Sequence, residues 1–216
     1  MTDASHLLST RASYNALAEE YDRHFARELD GKPLDRGMLG AFAEIVRASD
    51  PGPVADLGCG TGIVTAHLDS LGVRAFGVDL SPGMLAVARR NHPELRFEEG
   101  SLEALDLPDN HLAAAVCWYS VIHTPPERQP LVFAGLARVL RPGGHLLLAF
   151  QVGDEPRHFS EVFGHQIALD FHRLRADAAA DQLAQVGLLV TARLVRDPDS
   201  TERTSQGFLL ACKATP

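Results

Sequence analysis

The chain has 216 residues, 45% of them hydrophobic, with a formal net charge of −8. That length predicts a single domain, residues 1–216, large enough for a layered core. The acidic balance argues against nucleic acid or an anionic membrane as a partner: the lysines are Lys32 and Lys213 alone, and no basic run occurs. No secretory h-region is evident, the apolar runs are too short to span a bilayer, and Cys59, Cys117 and Cys212 show neither metal nor disulfide spacing. The expectation is a reduced, cytoplasmic protein with no metal site.

Residues 1–50 carry two helical patterns that predict an N-terminal cap. Tyr14, Leu17, Ala18, Tyr21 and Phe25 share one face at i, i+3, i+4 and i+7 spacing. Gly31-Lys32-Pro33 interrupts, and a second pattern runs on to Pro51-Gly52-Pro53. From 51 to 152 strands and helices alternate. VADLGCGTG (54–62) reads as a strand end followed by a glycine turn, and a helix from Ile63 closes at Gly72. Glycines in such a turn let the backbone approach a ligand, and the helix N-terminus offers it free N–H groups. VRAFGVDL (73–80) predicts a second strand ending in Asp79, 17 positions after Gly62, close to the spacing at which a carboxylate holds a ribose diol. Ser81-Pro82 starts the next helix as N-cap and first-turn proline.

A third strand is predicted in LRFEEG (95–100) and a fourth in NHLAAAVCWYS (110–120), almost continuously apolar as a central parallel strand should be. A helix over LVFAGLARVL (131–140) is expected to end at Arg141-Pro142-Gly143-Gly144, before a fifth strand, GHLLLAF (144–150). Residues 153–175 read as the least regular stretch, with Phe159, Phe163 and Phe171 among His158, His165 and His172. A helix over 176–187 and a hairpin of LLVTARLVRDP and GFLLACK complete the chain. The pattern predicts an α/β, doubly wound, mostly parallel sheet with ligands at the strands' carboxyl ends.

The loop Asp-x-Gly-x-Gly-x-Gly, the run GVDLSPGML and the passage RVLRPGGHLLLAF, in this order, resemble motifs of class I S-adenosylmethionine-dependent methyltransferases. The resemblance spans Val54 to Gln151. It implies a Rossmann-like, seven-stranded sheet in the order 3-2-1-4-5-7-6 with an antiparallel last strand. It also implies S-adenosylmethionine as cofactor and a small-molecule acceptor. Asp56, Gly58, Cys59, Gly60, Thr61 and Gly62 then correspond to the part that holds the methionine moiety. Asp79 would take the ribose hydroxyls, and Leu80 and Met84 would pack near the adenine. Ser101 and Leu102 stand at the third motif, where an acidic residue is common. Cys117, Trp118 and Tyr119 end the fourth strand and should border the cofactor, either as plain packing or as an aromatic face toward the sulfonium. Tyr14 and Tyr21 fall where such proteins carry a lid, and residues 153–175, with His158 and Phe159, where they insert a substrate cover.

His123 lies just beyond the fourth strand, either as a proton acceptor or as a pocket wall. The alternatives to methyl transfer are a nicotinamide-dependent oxidoreductase and a non-catalytic cofactor-binding protein. Ile63, where a dinucleotide fingerprint wants glycine, counts against the oxidoreductase.

Overall fold

In the computed structural model, which describes residues 5–215, the elements run α1 (Ser5–Phe25), a 3₁₀ turn (Glu28–Gly31), α2 (Pro33–Ala48), β1 (Val54–Leu57), α3 (Ile63–Ser70), β2 (Ala75–Asp79), α4 (Pro82–Asn91), β3 (Phe97–Glu99), β4 (Leu112–Trp118), α5 (Gln129–Val139), β5 (Leu140–Gln151), β6 (Arg157–Val162), β7 (His165–Phe171), α6 (Ala176–Gln185), β8 (Leu188–Arg196) and β9 (Gln206–Lys213). Seven strands form one sheet in the order β3-β2-β1-β4-β5-β9-β8. With β6 and β7 set apart as their own hairpin, this is the expected topology, and β9 runs antiparallel to β5 with Leu147 opposite Leu210. The switch point lies between β1 and β4, which pair parallel through Ala55↔Ala115.

Period-two alternation along the buried strands divides the core between two faces. Ala115 and Cys117 of β4 join Leu146 and Leu148 of β5 beneath α5 and α6, where Phe133, Leu136 and Leu183 are fully buried. Ala114, Val116 and Leu147 face the other way, against Leu39 and Phe42 of α2 and Leu68 of α3. α1 belongs to neither layer. It crosses α4, packing Ala18 and the two tyrosines on Met84 and Val87. Asn15 also accepts hydrogen bonds from Ser81 Oγ and the Gly83 N–H at 2.7 and 2.8 Å. Among the described residues no helix is long and apolar enough to cross a membrane.

Two elements differ from the sequence reading. β5 begins at Leu140, directly on the end of α5, because Leu112 pairs with Leu140 and a bulge then absorbs the register shift across Arg141–Gly144. Residues 157–171, expected to be irregular, form the hairpin β6–β7. Its turn places Phe163 at φ 51° and Gly164 at φ 79°, a double left-handed turn with an aromatic residue where asparagine is usual.

Candidate active site

The site is built on the ends of β1, β2 and β4. Beyond β1 the chain turns at Gly58, whose N–H, with that of Cys59, donates to the Val78 carbonyl at 2.7 and 3.0 Å. Gly58 has φ +81°, and a Cβ there would stand 2.2 Å from the Ser120 Cβ, so only glycine fits the crossing. Ser120 ties the same corner together by donating its hydroxyl to the Leu57 carbonyl at 2.7 Å. Asp79, at the end of β2, accepts the Gly60 N–H on Oδ2 and the Ser81 N–H on Oδ1, both at 2.8 Å. Burial raises its pKa against the pull of those backbone donors. The carboxylate oxygens keep lone-pair capacity for a ligand.

Above this corner lies a cavity of about 1000 Å³ including its mouth. Its walls include Gly58, Gly60 and Asp79, the group Leu80, Met84, Ser101 and Leu102, and the side chains of Tyr14, Tyr21, Trp118, Tyr119 and His123. A second cavity of about 460 Å³ continues past the glycine loop and is lined by Asp56, Cys59 and Thr61. Asp56 is fully buried; Thr65 donates to its Oδ2 at 2.6 Å, while its Oδ1 has no hydrogen-bond partner. Burial pushes this carboxyl up to about 7. Thr61 Oγ1 is likewise buried and unpartnered.

The comparisons with known proteins agree with this architecture. A family model described as a methyltransferase domain matches residues 54–144. Malonyl-[acyl-carrier protein] O-methyltransferase of Serratia marcescens is 32% identical over 153 residues, which is 69% of this chain and 56% of that protein. Demethylmenaquinone methyltransferase of Deinococcus radiodurans is 32% identical over 164 residues, 73% of this chain and 62% of that one. The chain thus spans little more than half the length of the first of these curated relatives. Among solved structures, a complex of DhpI with S-adenosylhomocysteine has a TM-score of 0.75 at 20% identity, with both chains covered fully. Magnesium protoporphyrin IX methyltransferase of Synechocystis PCC 6803 has a TM-score of 0.74 at 17% identity, covering 99% of this chain and 100% of that one. These two structures speak for the fold.

The chain carries a class I S-adenosylmethionine-dependent methyltransferase domain. Its cavities fit that cofactor in outline: a carboxylate beside a glycine loop, apolar walls from Leu80, Met84 and Leu102, and the unpartnered buried oxygens of Asp56 and Thr61.

Over the methyltransferase cavity, α1 and the β6–β7 hairpin close together. Ser9 and Ser13 donate to the Ala168 carbonyl at 2.6 and 3.3 Å, and His24 stacks on Phe163 with ring centroids 4.0 Å apart. The Asp170 carbonyl can only accept, so His123 Nδ1 donates to it at 3.1 Å. Nε2 of the neutral ring is then an acceptor, and Tyr14 donates its hydroxyl to it at 2.7 Å. Burial drives His123 down to about 4 and raises Tyr14 well above its ordinary value. Both groups are therefore neutral at physiological pH.

Four candidates from the sequence lie outside both cavities. A Cβ on Gly62 would meet the Phe97 ring at 2.8 Å, so that glycine serves helix–strand packing. Cys117 is sealed in the core under α5. His158 is exposed and pairs with Asp170 at 2.8 Å, and Phe159 packs edge-on against Phe171. Sequence reasoning missed Leu7, Arg11 and Glu28, which also line the larger cavity. Leu7 and Arg11 lie seven and three residues before Tyr14, so extending its helical face would have found them. Glu28, in the 3₁₀ turn, carried no periodic signal.

Proposed function

We propose that this chain transfers the methyl group of S-adenosylmethionine to a small-molecule acceptor that enters beside Tyr14 and His123. The observation that carries the reading is the cavity itself, whose walls bring the glycine loop and Asp79 together with aromatic side chains that include a neutral Tyr14–His123 pair. When bound, the cofactor supplies a methyl group on a sulfonium leaving group, so positioning is most of the work left to the protein.

Asp79 would hold the ribose diol on its carboxylate, Leu80, Met84 and Leu102 would flank the adenine, and Thr61 and Asp56 would meet the amino-acid end. Tyr14 would contact the acceptor while hydrogen-bonded to His123. A proton leaving the acceptor can pass to the Tyr14 oxygen as Tyr14 gives its own to Nε2. With His123 so weakly basic, this transfer is uphill and suits an acceptor whose proton is already acidic. The relatives are named for malonyl-[acyl-carrier protein] and demethylmenaquinone as acceptors, which supports small acceptor groups in general.

The test has two stages. Titration calorimetry should show S-adenosylhomocysteine binding to the wild type, weakened by about 1.5–3 kcal/mol in Asp79→Ala, the range for a hydrogen bond to a charged group. A screen of phenols, thiols and amines for release of S-adenosylhomocysteine then finds the acceptor. Binding of a nicotinamide dinucleotide with no heat from either adenosyl compound would overturn the proposal.

A further inference from the structure

Among the described residues, Glu28 is the only charged side chain that lines both cavities; the others common to the two linings are Tyr21, Gly58, Gly60 and Trp118. Its nearest cation is Lys32, at 3.9 Å, too far for a hydrogen bond. That ammonium is committed elsewhere, donating to Asp199 at 2.9 Å and to Glu202. The second local cation, Arg196, is held by Asp35 at 2.8 Å and by Glu202 at 2.5 Å. Four carboxylates, Glu28, Asp35, Asp199 and Glu202, thus share two cations, and Glu28 is the one left without a close partner. Its pKa is raised, first by burial and then by the neighbouring carboxylates, in spite of Lys32.

An independent feature lies in the lining of the smaller cavity. Asp56 Oδ1 and Thr61 Oγ1 are buried, line the smaller cavity and have no hydrogen-bond partner. Glu28, Asp56 and Thr61 therefore line one space, together with Tyr21 and Trp118. An anion would be repelled there, and a neutral apolar group would leave the carboxylates unsatisfied. A primary ammonium brings three donors and a positive charge, and the ring faces favour a cation as well.

We infer that Glu28, at the junction of the two cavities, is a recognition residue for an ammonium group. The inference rests on the cofactor reading above. The ammonium has two possible sources, the α-ammonium of the cofactor's methionine end or an amine acceptor, and the experiment separates them.

Binding of S-adenosylhomocysteine, and of its analogue with hydrogen in place of the α-amino group, is measured by calorimetry for the wild type, Glu28→Gln and Glu28→Asp. For the cofactor source, Glu28→Gln weakens S-adenosylhomocysteine about tenfold, leaves the deaminated analogue unchanged, and Glu28→Asp recovers part of the loss. For the acceptor source, S-adenosylhomocysteine binds all three proteins equally. Benzylammonium then shifts resonances of the loaded wild type in an NMR titration, but not those of Glu28→Gln, and benzyl alcohol has no such dependence. Equal binding of every ligand to wild type and Glu28→Gln overturns the inference. Failure of the wild type to bind S-adenosylhomocysteine at all is a different result, which removes the cofactor reading beneath it. Glu28 is about two-fifths exposed, so the variants should fold, and an unchanged melting temperature confirms it.

Discussion

The depressed basicity of His123 makes a quantitative prediction about stability. In the unfolded chain the imidazole titrates near 6.5; in the folded one burial takes it to about 4. Above 6.5 both states are neutral and the difference costs nothing. Between 6.5 and 4 the unfolded chain binds a proton that the folded chain does not, so the contribution from His123 is present at high pH and lost as pH falls. At pH 5 the two pKa values correspond to a loss of about 2 kcal/mol relative to pH 7.5. For a protein of this size that is about 4–8 °C in melting temperature.

Asp56 opposes this trend. Its carboxyl is raised from 3.8 to about 7, so its contribution is present at low pH and lost as pH rises. The wild-type curve alone is therefore flattened, and the informative quantity is the difference between wild type and His123→Asn. Asparagine does not titrate and can still donate to the Asp170 carbonyl. Melting temperatures measured from pH 7.5 to pH 5 should fall more steeply in the wild type than in the variant, by the stated amount. Parallel curves would show that His123 is protonated as readily in the folded state as in the unfolded one, and the reasoning about its neutral pairing with Tyr14 would fail.

Removing the hydroxyl in Tyr14→Phe should lower turnover by about 10²-fold while changing affinity for S-adenosylhomocysteine by less than about threefold, since the phenol is assigned to the acceptor side; steady-state kinetics with the acceptor found in the screen, beside calorimetry, checks both numbers. Gly58→Ala places a Cβ 2.2 Å from that of Ser120 at φ +81° and should destabilise the fold by about 1–3 kcal/mol, read as a drop in urea midpoint, with S-adenosylhomocysteine binding lost; an unchanged midpoint would mean that the corner relaxes freely.

What the sequence made legible was local. The strand–glycine loop–helix unit, Asp79 at the next strand end and the Ser81-Pro82 helix start each depend on residues within a few positions, and each appears where the pattern puts it. Ser81 does cap α4, accepting the Met84 N–H at 3.1 Å. The misreadings have physical causes of the opposite kind. Pro142, Gly143 and Gly144 read as a loop, yet they are carried in β5 because a bulge beside β4 takes up the mismatch. The β6–β7 hairpin has Phe163 where its turn usually has asparagine, and it is held by α1 and by the β4–α5 connection as well as by its own pairing. Gly62 shows the limit of motif matching: it belongs to the glycine series, but its lack of a side chain serves the Phe97 ring rather than the cavity.

The same division runs through the site. The floor of the cavity is made by adjacent strand ends of a single topology, so a motif can announce it. The proposed acceptor side is assembled from parts distant in sequence: Tyr14 meets His123 across 109 positions, and the imidazole is oriented by a carbonyl 47 positions further on. Each of these contacts also fastens a cover. Tyr14 sits on α1, Asp170 on β7, and Ser9 and Ser13 bind the two together at Ala168. A substitution that alters how α1 meets the hairpin must therefore alter the donor that Nε2 receives. Acceptor preference can then change through cover packing while the glycine loop and Asp79 stay as they are, which is the physical reason a shared cofactor motif says little about the molecule that is methylated.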